Sequence, residues 1–368
     1  MEKSKFTVAV VFGGRSSEHS ISCISAASVL SAIDPEAFNV IAVGITRKGE
    51  WFVHSGNPDE LRAVDGKLPE ISATGTRVLL STDPTIRGFV AVDGSALPDA
   101  FTSIDVVFPV LHGPYGEDGT IQGALEFAGL PCVGSSVFAS STAMDKAHMK
   151  AVLIAHGLPV GPFEIVSDRD WKFDKSQALK RIAQLAFPVF VKPARAGSSI
   201  GITKVSTVDA LENAIEIARV HDPKVIVESG LVGMREIECG VLVDPQGAPR
   251  ASVPAEIIVH GHEFYDFEAK YLEDSAELKV PADLDEVTTR KVQAEAIAAF
   301  NALDCEGFAR CDFFVMPNGD VIINEVNTLP GFTPISMFPR MWQASGMSYP
   351  AIVDALLRDA IRRGSGLR

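Results

Sequence analysis

The stretch from residue 308 to 331, FARCDFFVMPNGDVIINEVNTLPG, decides how the C-terminal part of the chain folds. It contains two runs rich in Val, Ile and Phe, as β-strands usually are, on either side of Asn318–Gly319. Asn-Gly is typical of a tight two-residue hairpin turn. With this turn at the centre, Pro317 faces Asp320, and the pairing of the strands can be counted back from there. The stretch therefore predicts an antiparallel hairpin whose second strand ends before Pro330–Gly331.

One face of this hairpin carries charged and amide side chains. In the counted register Asp312 lies opposite Glu325 and Arg310 lies opposite Asn327, and strand alternation places all four on the same face. Opposed side chains have Cβ atoms roughly 5 Å apart, so the two carboxylates should repel each other unless a cation lies between them. Carboxylate and amide oxygens suit Mg²⁺ bound together with phosphate. The pattern predicts a metal site; the alternative is that Arg310 pairs with Asp312 while Glu325 is solvated on an exposed face.

Length, charge and cysteine content limit the class of protein. A chain of 368 residues is long for one hydrophobic core, so two or three domains are expected. The formal net charge of −14 argues against nucleic acid or an anionic membrane as partner. Five scattered cysteines without a C-x-x-C pair, together with an N-terminus lacking a signal-peptide pattern, predict a cytoplasmic protein without disulfides or a zinc site. No apolar run is long enough to predict a membrane span.

The chain is predicted to contain three units. Residues 1–134 alternate strand-like and helix-like segments and predict an α/β domain with a parallel sheet. Within it, a tract rich in Gly, Pro, Asp and Ser from about 56 to 98 is interpreted as a peripheral insertion. Residues 135–225 form the second predicted unit and residues 226–368 the third. The predicted fold class is α/β, changing to α+β in the C-terminal half.

Two loops are candidates for binding a ligand. The segment VKPARAGSSIGITKV, residues 191–205, joins two β runs through small residues whose N–H groups can cradle phosphate beside Lys192. It is neither a Walker A box nor a Rossmann fingerprint, and a mobile hairpin turn is the alternative. The segment HGPYGEDG, residues 112–119, places His112 at a strand end, where α/β domains place functional groups. Its alternative is a polar turn leading into a helix.

Taken together, these segments resemble the D-alanine–D-alanine ligases of the ATP-grasp superfamily. The resemblance covers nearly the whole chain outside the 56–98 tract. It lies in VVFGGRSSEHSISCISA, HGPYGEDGTIQGALE, GSSVFASSTAMDK, FPVFVKPARAGSSIG, EFYDFEAKY and GFARCDFFV…INEVNTLPGFTPISMFP. It implies a three-domain ATP-grasp architecture with the nucleotide between the second and third domains. ATP would phosphorylate the carboxylate of one D-alanine, and the amine of a second would attack the acyl phosphate, giving a peptidoglycan precursor.

The resemblance also implies a role for individual residues. Those expected to contact ATP are Lys146, Lys192, Gly197, Ser199, Glu228, Glu236 and Lys270. The ligands of two Mg²⁺ ions, for which Mn²⁺ would substitute, are Asp312, Glu325 and Asn327. The substrate-binding residues are His112, Ser336 and Met337. The catalytic residues are Glu18, Ser198, Tyr271, Arg310 and Gly331.

Further expectations concern how these residues act. Arg310 and the Gly331 N–H would stabilise the oxyanion of the tetrahedral intermediate. Tyr271, in the EAKY segment, would belong to a lid that excludes water from the acyl phosphate and would hydrogen-bond with Ser198. Ala196 stands where the family often has a glutamate, so the contacts of the phosphate loop are expected to differ. A homodimer is also implied.

Three other functions remain alternatives. D-alanine–D-lactate ligases share the fold, but they generally lack the EAKY-type tyrosine that is present here as Tyr271. A catalytically silent nucleotide-binding regulator is disfavoured because the metal ligands, Arg310 and the lid residues are all retained. Another ATP-grasp ligase, acting on glutathione-like or carboxylation substrates, is disfavoured by the SSEHS and EAKY segments.

Overall fold

Three β-sheets organise the protein, whose computed structural model describes residues 5–197, 199–259 and 276–366. The first sheet has the strand order β5–β4–β3–β2–β1–β6. Its strands are β1 (Phe6–Gly13), β2 (Phe38–Ile45), β3 (Trp51–His54), β4 (Arg77–Leu80), β5 (Phe89–Ala91) and β6 (Val106–Val110). The predicted parallel pairing is confirmed for β2, β1 and β6, whereas β3, β4 and β5 are added antiparallel.

The apolar run in β1 is continuous because helices cover both faces of this sheet. Val8, Val10 and Phe12 pack with helix α1 (His19–Ala32), whereas Ala9 and Val11 pack with helix α2 (Thr120–Phe127). A strand buried on both faces does not alternate between polar and apolar residues. The sheet therefore holds the start of α1 rigidly at the carboxyl end of β1.

The tract from 56 to 98, predicted to be a peripheral insertion, contributes β4 and β5 to the edge of the first sheet. It also returns to α1, because the Ile71 N–H donates to Nε2 of His19 at 3.1 Å. The other ring nitrogen of His19 donates to the Gly14 carbonyl at 2.7 Å, and burial lowers the pKa of this histidine. The tract is therefore tied to the start of α1 and is not wholly peripheral.

The second sheet is antiparallel and has the order β7–β10–β8–β9. Its strands are β7 (Phe163–Val166), β8 (Val189–Pro193), β9 (Thr203–Val205) and β10 (Val225–Ser229). The helices packed on it are α5 (Asp168–Phe173), α6 (Lys175–Ile182) and α7 (Leu211–Arg219). The predicted boundary at 225/226 would fall inside β10, whose Val-Ile-Val run pairs with a strand on each side. We propose that the second unit extends from β7 to the end of β10.

The third sheet is antiparallel with the order β14–β13–β11–β15–β16, and β12 pairs with β11. Its strands are β11 (Arg235–Val243), β12 (Pro249–Ala251), β13 (Ala255–Val259), β14 (Ala276–Lys279), β15 (Phe308–Val315) and β16 (Val321–Asn327). The helices packed around it are α3 (Val137–Met144), α4 (Lys146–Ala155), α8 (Glu286–Ala302) and α9 (Met337–Ala344). The last helix, α10 (Tyr349–Arg363), packs back on the first sheet. Short 3₁₀ turns occupy Pro58–Leu61, Pro84–Ile86, Asp99–Thr102 and Val208–Ala210.

Helices α3 and α4 belong to the core of the third sheet, although the sequence assigns them to the second unit. Ala139, Met149 and Leu153 are fully buried among the apolar residues of β15, β16 and α8. The spacing of apolar residues predicts which face of a helix is buried, but it does not predict which sheet that face meets. In the described ranges, no helix has the length and apolar character needed to span a bilayer.

Strands β15 and β16 form the predicted hairpin, but its turn is one residue longer than predicted. The Met316 N–H donates to the Asp320 carbonyl at 2.8 Å, and Gly319 adopts a φ of 83°. A left-handed glycine at the last position is typical of a three-residue hairpin loop. The predicted facing of Pro317 and Asp320 is therefore wrong.

A β-bulge restores the predicted register further along the hairpin. Asn324 is an extra residue, because the strand register shifts by one between Asp312 and its neighbour. Beyond the bulge, Asp312 pairs with Glu325 and Arg310 pairs with Asn327, as predicted. A bulge places two residues opposite one and bends its strand locally. The polar face of the hairpin therefore lies where the sequence places it.

Candidate active site

The predicted site residues converge on one cavity of about 600 Å³, a size within the usual range for small-molecule sites. The predicted residues that line it are Glu18, His112, Lys146, Lys192, Gly197, Ser199, Glu228, Glu236, Arg310, Asp312, Glu325, Asn327, Gly331, Ser336 and Met337. Ser198, Lys270 and Tyr271 lie outside the described residues, so their roles stay predictions.

Helix α4 brings two lysines into this cavity. Its N-terminus is capped by Asp145, and Lys146 and Lys150 follow one turn apart, on the same face of the helix. Lys146 Nζ lies 3.2 Å from Oε2 of Glu325 and donates to the Ala196 carbonyl at 2.9 Å. Lys150 is absent from the predicted site, although its spacing of four residues from Lys146 is the signal that would have identified it.

Glu228, in β10, lies between two lysines. Its Oε1 is 2.8 Å from Lys150 Nζ, and its Oε2 is 2.5 Å from Lys192 Nζ. Burial alone would raise the pKa of Glu228, but the two ammonium groups outweigh it and lower this pKa to about 2. Burial likewise opposes the charge of Lys192, but Glu228 outweighs it and the pKa of Lys192 is raised. Glu228 and Lys192 are therefore both charged at neutral pH.

The polar face of the β15–β16 hairpin is held by ion pairs. Arg310 donates to both carboxylate oxygens of Asp312 at 2.7 Å, and Asn327 Nδ2 donates to the same carboxylate at 2.9 Å. Arg310 Nε also lies 3.3 Å from Glu238 Oε2. Burial would lower the pKa of Arg310, but the neighbouring carboxylates raise it. The alternative pairing of Arg310 with Asp312 is therefore present, whereas Glu325 is not on a solvated face but pairs with Lys146.

The hairpin face fits a divalent cation that is escorted by phosphate. Asp312, Glu325 and Asn327 supply hard oxygen donors on a paired, semi-rigid surface. Within the described ranges, no group of three or more His, Cys, Asp or Glu side chains is arranged to hold a metal ion. A dedicated all-protein cage is therefore not indicated. Mg²⁺ is usually bound by one or two carboxylates together with substrate phosphates, which is the chemistry of this donor set.

A second group of polar residues surrounds Glu18, the residue directly before α1. Glu18 is 9% exposed and lies against Gly113, where an added Cβ would come within 2.6 Å of its Oε2. His112 is 5% exposed; its Nδ1–H donates to the Leu329 carbonyl at 3.2 Å, and its Nε2 accepts from the Ser25 hydroxyl at 3.0 Å. Burial lowers the pKa of His112. The imidazole is therefore neutral, and its tautomer is fixed by these two bonds.

Glu117 is a partly buried carboxyl group beside Glu18, in the HGPYGEDG loop, to which the sequence gives no role of its own. Its Oε1 accepts from the Gly113 N–H at 2.8 Å. Burial, and then the charge of Glu18, raise the pKa of Glu117 to about 8. Glu117 is therefore protonated at pH 7 and does not add a second negative charge beside Glu18.

The segment after β16 lines another part of the cavity. A Cβ added to Gly331 would lie 3.2 Å from Ser336 Oγ, and this hydroxyl accepts from the Thr333 N–H at the same distance. Met337 follows as a buried residue at the start of α9. On the opposite side, a Cβ added to Gly197 would lie 3.8 Å from Glu18 Oε2. The glycine-rich loop therefore reaches the Glu18 group.

Comparison with known sequences identifies relatives over the full length of the chain. Residues 7–135 match the family profile described as "D-ala D-ala ligase N-terminus", and residues 152–358 match "D-ala D-ala ligase C-terminus". A D-alanine–D-alanine ligase of Streptomyces griseus is 53% identical, with 100% of this chain and 95% of the relative covered. One from Mycolicibacterium vanbaalenii is 52% identical, with 99% and 100% covered.

Solved structures of similar fold include enzymes with two specificities. The VanG D-Ala:D-Ser ligase of Enterococcus faecalis superposes with a TM-score of 0.84 at 35% identity, covering 97% of this chain and 100% of that one. A D-alanine–D-alanine ligase of Coxiella burnetii superposes with a TM-score of 0.81 at 34% identity, covering 98% and 95%.

Proposed function

The chain belongs to the D-alanine–D-alanine ligase family, and on this premise we propose that it joins two D-alanine molecules in an ATP-dependent reaction. The family uses ATP and a divalent metal ion, and the dipeptide serves peptidoglycan synthesis. The observation that carries the proposal is that Lys146 and Lys192, the hairpin face and the Glu18 group all line one cavity.

The cationic side of the cavity is proposed to bind the triphosphate. The side chains of Lys146 and Lys192 are both mostly buried, and both line the cavity beside the glycine-rich loop. Asp312, Glu325 and Asn327 would hold two Mg²⁺ ions, with Mn²⁺ able to substitute. Such ions neutralise the charge that develops on the transferred phosphoryl group. Glu228 and Glu236 would bind the adenosine part of the nucleotide, and Gly197 and Ser199 its phosphates.

Arg310 is proposed to stabilise the tetrahedral intermediate together with the Gly331 N–H. Its guanidinium group donates two hydrogen bonds to Asp312 and its Nε also lies 3.3 Å from Glu238 Oε2, so its orientation is set before substrate arrives. Donors that need no reorganisation during the reaction stabilise a developing oxyanion most effectively. The proximity of Gly331 to Ser336 supports an oxyanion site beside the proposed subsite for the second D-alanine.

The first D-alanine is proposed to bind at the Glu18 group. The Glu18 carboxylate would accept its ammonium, while neutral His112 and neutral Glu117 line the same part of the cavity without adding charge. Protonated Glu117 matters because a second carboxylate there would compete with the substrate carboxylate for the nearby cations. Ser336 and Met337 would contact the second D-alanine.

Phosphate release from ATP with Mg²⁺ tests this function. D-alanine alone should support turnover, and L-alanine should not. Absence of turnover with D-alanine alone would refute the proposal. Parallel assays of D-alanine with D-lactate or with D-serine address the alternatives, because the structural similarity to a D-Ala:D-Ser ligase makes D-serine the second candidate for the attacking amine.

Three further properties complete the proposal. The lid formed by Lys270 and Tyr271, with Ser198 as its partner in the glycine-rich loop, would exclude water from the acyl phosphate. A homodimer is proposed from the family and is tested by light scattering on the purified protein. A cytoplasmic location is proposed because ATP is the co-substrate and because all five cysteines are free thiols.

A further inference from the structure

Lys150 is a buried cation to which the proposed mechanism gives no role. Its side chain is 3% exposed, and it lies on α4 among the buried apolar residues Ala147, Met149 and Leu153. Placing an ammonium group in such surroundings is costly unless it is paired and hydrogen-bonded. Its contacts therefore indicate what it does.

The ammonium of Lys150 joins three separate segments of the protein. From α4 it reaches Glu228 Oε1 in the second sheet at 2.8 Å. It also donates to the main-chain carbonyl of Asn324, the bulge residue of β16 in the third sheet, at 3.1 Å. The carbonyl belongs to a paired hairpin, so it fixes the position of the ammonium independently of Glu228.

Each carboxylate oxygen of Glu228 contacts one lysine, and of these two lysines only Lys192 is proposed to bind the nucleotide. Lys192 Nζ lies 2.5 Å from Oε2, and Lys192 is the lysine proposed to bind phosphate. When that ammonium turns towards a phosphate, the buried carboxylate of Glu228 keeps Lys150 as its cation. Without Lys150, either Lys192 stays with Glu228 or a buried carboxylate is left uncompensated, and both outcomes weaken nucleotide binding.

We propose that Lys150 is a positioning residue that neutralises Glu228 and thereby releases Lys192 to bind the phosphates of the nucleotide. The proposal deepens the proposed ATP-dependent function and rests on it. Lys150 acts through Glu228 and Lys192 and touches no reacting atom.

The experiment measures equilibrium binding of ADP with Mg²⁺ by calorimetry on the full-length protein. The variants are Lys150→Met, Glu228→Gln and the double variant, and Lys180→Met is the control because Lys180 is an exposed lysine of α6. Lys150→Met should weaken ADP binding by about tenfold or more, which is about 1.4 kcal/mol. The double variant should bind ADP as well as Glu228→Gln alone, because no buried carboxylate then needs Lys150. Lys180→Met should bind ADP like the parent.

Two results would overturn the proposal. One is a folded Lys150→Met protein whose ADP affinity is within about twofold of the Lys180→Met control, since a purely structural role lowers thermal stability without changing the affinity of the folded protein. The other is a double variant in which the two losses multiply. If Lys150→Met does not fold, the ADP affinities of the double variant and of Glu228→Gln are compared. Equal affinities support the proposal, and weaker binding by the double variant overturns it. ADP binding requires no D-alanine, so failure of the ligase assay and failure of this proposal are separate results.

Discussion

Replacement of Gly113 by alanine tests whether Glu18 receives the ammonium of the first substrate. The added Cβ would lie 2.6 Å from Glu18 Oε2, whereas ordinary contact begins at 3.4 Å. The atom it meets is the end of a flexible side chain, so the carboxylate would move by about 0.8 Å while the backbone stays in place. The backbone at Gly113 has a φ of +74°, which adds a cost of about 1 kcal/mol for an alanine.

The displaced carboxylate should impair the reaction with D-alanine selectively. A misplacement of about 1 Å can lower a rate by about 100-fold, so we expect kcat/KM for D-alanine to fall by about 10- to 100-fold. The KM for ATP should stay unchanged, because the clash involves neither the lysines nor the hairpin face. Phosphate release with D-alanine and ATP varied separately measures both quantities.

Gly94→Ala is the matched control for backbone strain. Gly94 has a φ of +73°, and no atom lies within 4 Å of the Cβ that would be added. Both variants should therefore lose about 1 kcal/mol of unfolding free energy, but only Gly113→Ala should lose activity with D-alanine. Equal D-alanine kinetics in the two variants would show that Glu18 does not receive the substrate.

Other predictions concern charge in the same cavity and the lid. Glu325→Gln should lower turnover by about 100-fold with an unchanged circular-dichroism spectrum, since loss of even an outer partner of a metal costs about 10- to 100-fold and Glu325 is proposed as a direct ligand. An unaltered rate and Mg²⁺ dependence would exclude the hairpin face as the metal site. The pKa of Glu117 is raised to about 8 in the folded protein, so its contribution lowers stability as pH rises from about 4.5 to 8. The unfolding free energy of Glu117→Gln minus that of the parent, measured with denaturant, should therefore be more positive at pH 8 than at pH 5. The same difference at both pH values would contradict a protonated Glu117. Tyr271→Phe, outside the described residues, should raise uncoupled ATP hydrolysis or lower the ligation rate, and unaffected kinetics would remove this residue from the mechanism.

The hairpin shows how far turn chemistry determines a register. Asn318–Gly319 predicts a hairpin correctly, but the loop takes a third residue and shifts the pairing near the turn. The extra residue at Asn324 compensates for that shift, so the pairs beyond it, which form the polar face, are the predicted ones. The sequence contains a signal for the bulge, because the buried residues Ile323 and Val326 are three apart, which breaks the alternation of a regular strand. The predicted pairing across the functional face was therefore right although one step in deriving it was wrong.

Contacts between segments that are far apart along the chain could not be predicted from the sequence. The spacing of Lys146 and Lys150 indicates a shared helix face, but nothing local indicates that the second lysine meets Glu228 in another sheet. The same limit explains why the sequence places α4 in the second unit although its buried residues pack on the third sheet. Side-chain periodicity fixes the orientation of an element about its own axis, whereas its partner depends on how the whole chain packs.

The ion pairs of the cavity also explain how so many charges coexist there before a nucleotide binds. Three of the acids proposed to serve the nucleotide or the metal contact a cation proposed to serve a phosphate or an oxyanion; the pairs are Lys146–Glu325, Lys192–Glu228 and Arg310–Asp312. Charged side chains that are mostly buried are costly unless they are compensated, so the charges of the cavity have to balance one another. A nucleotide alone would attract Lys146 and leave Glu325 without its cation, although Glu228 would keep Lys150. A metal alone would attract Asp312 and Glu325 away from Arg310 and Lys146. The polyanion and the cation therefore have to arrive together, because only their joint arrival exchanges every partner without leaving a buried charge uncompensated.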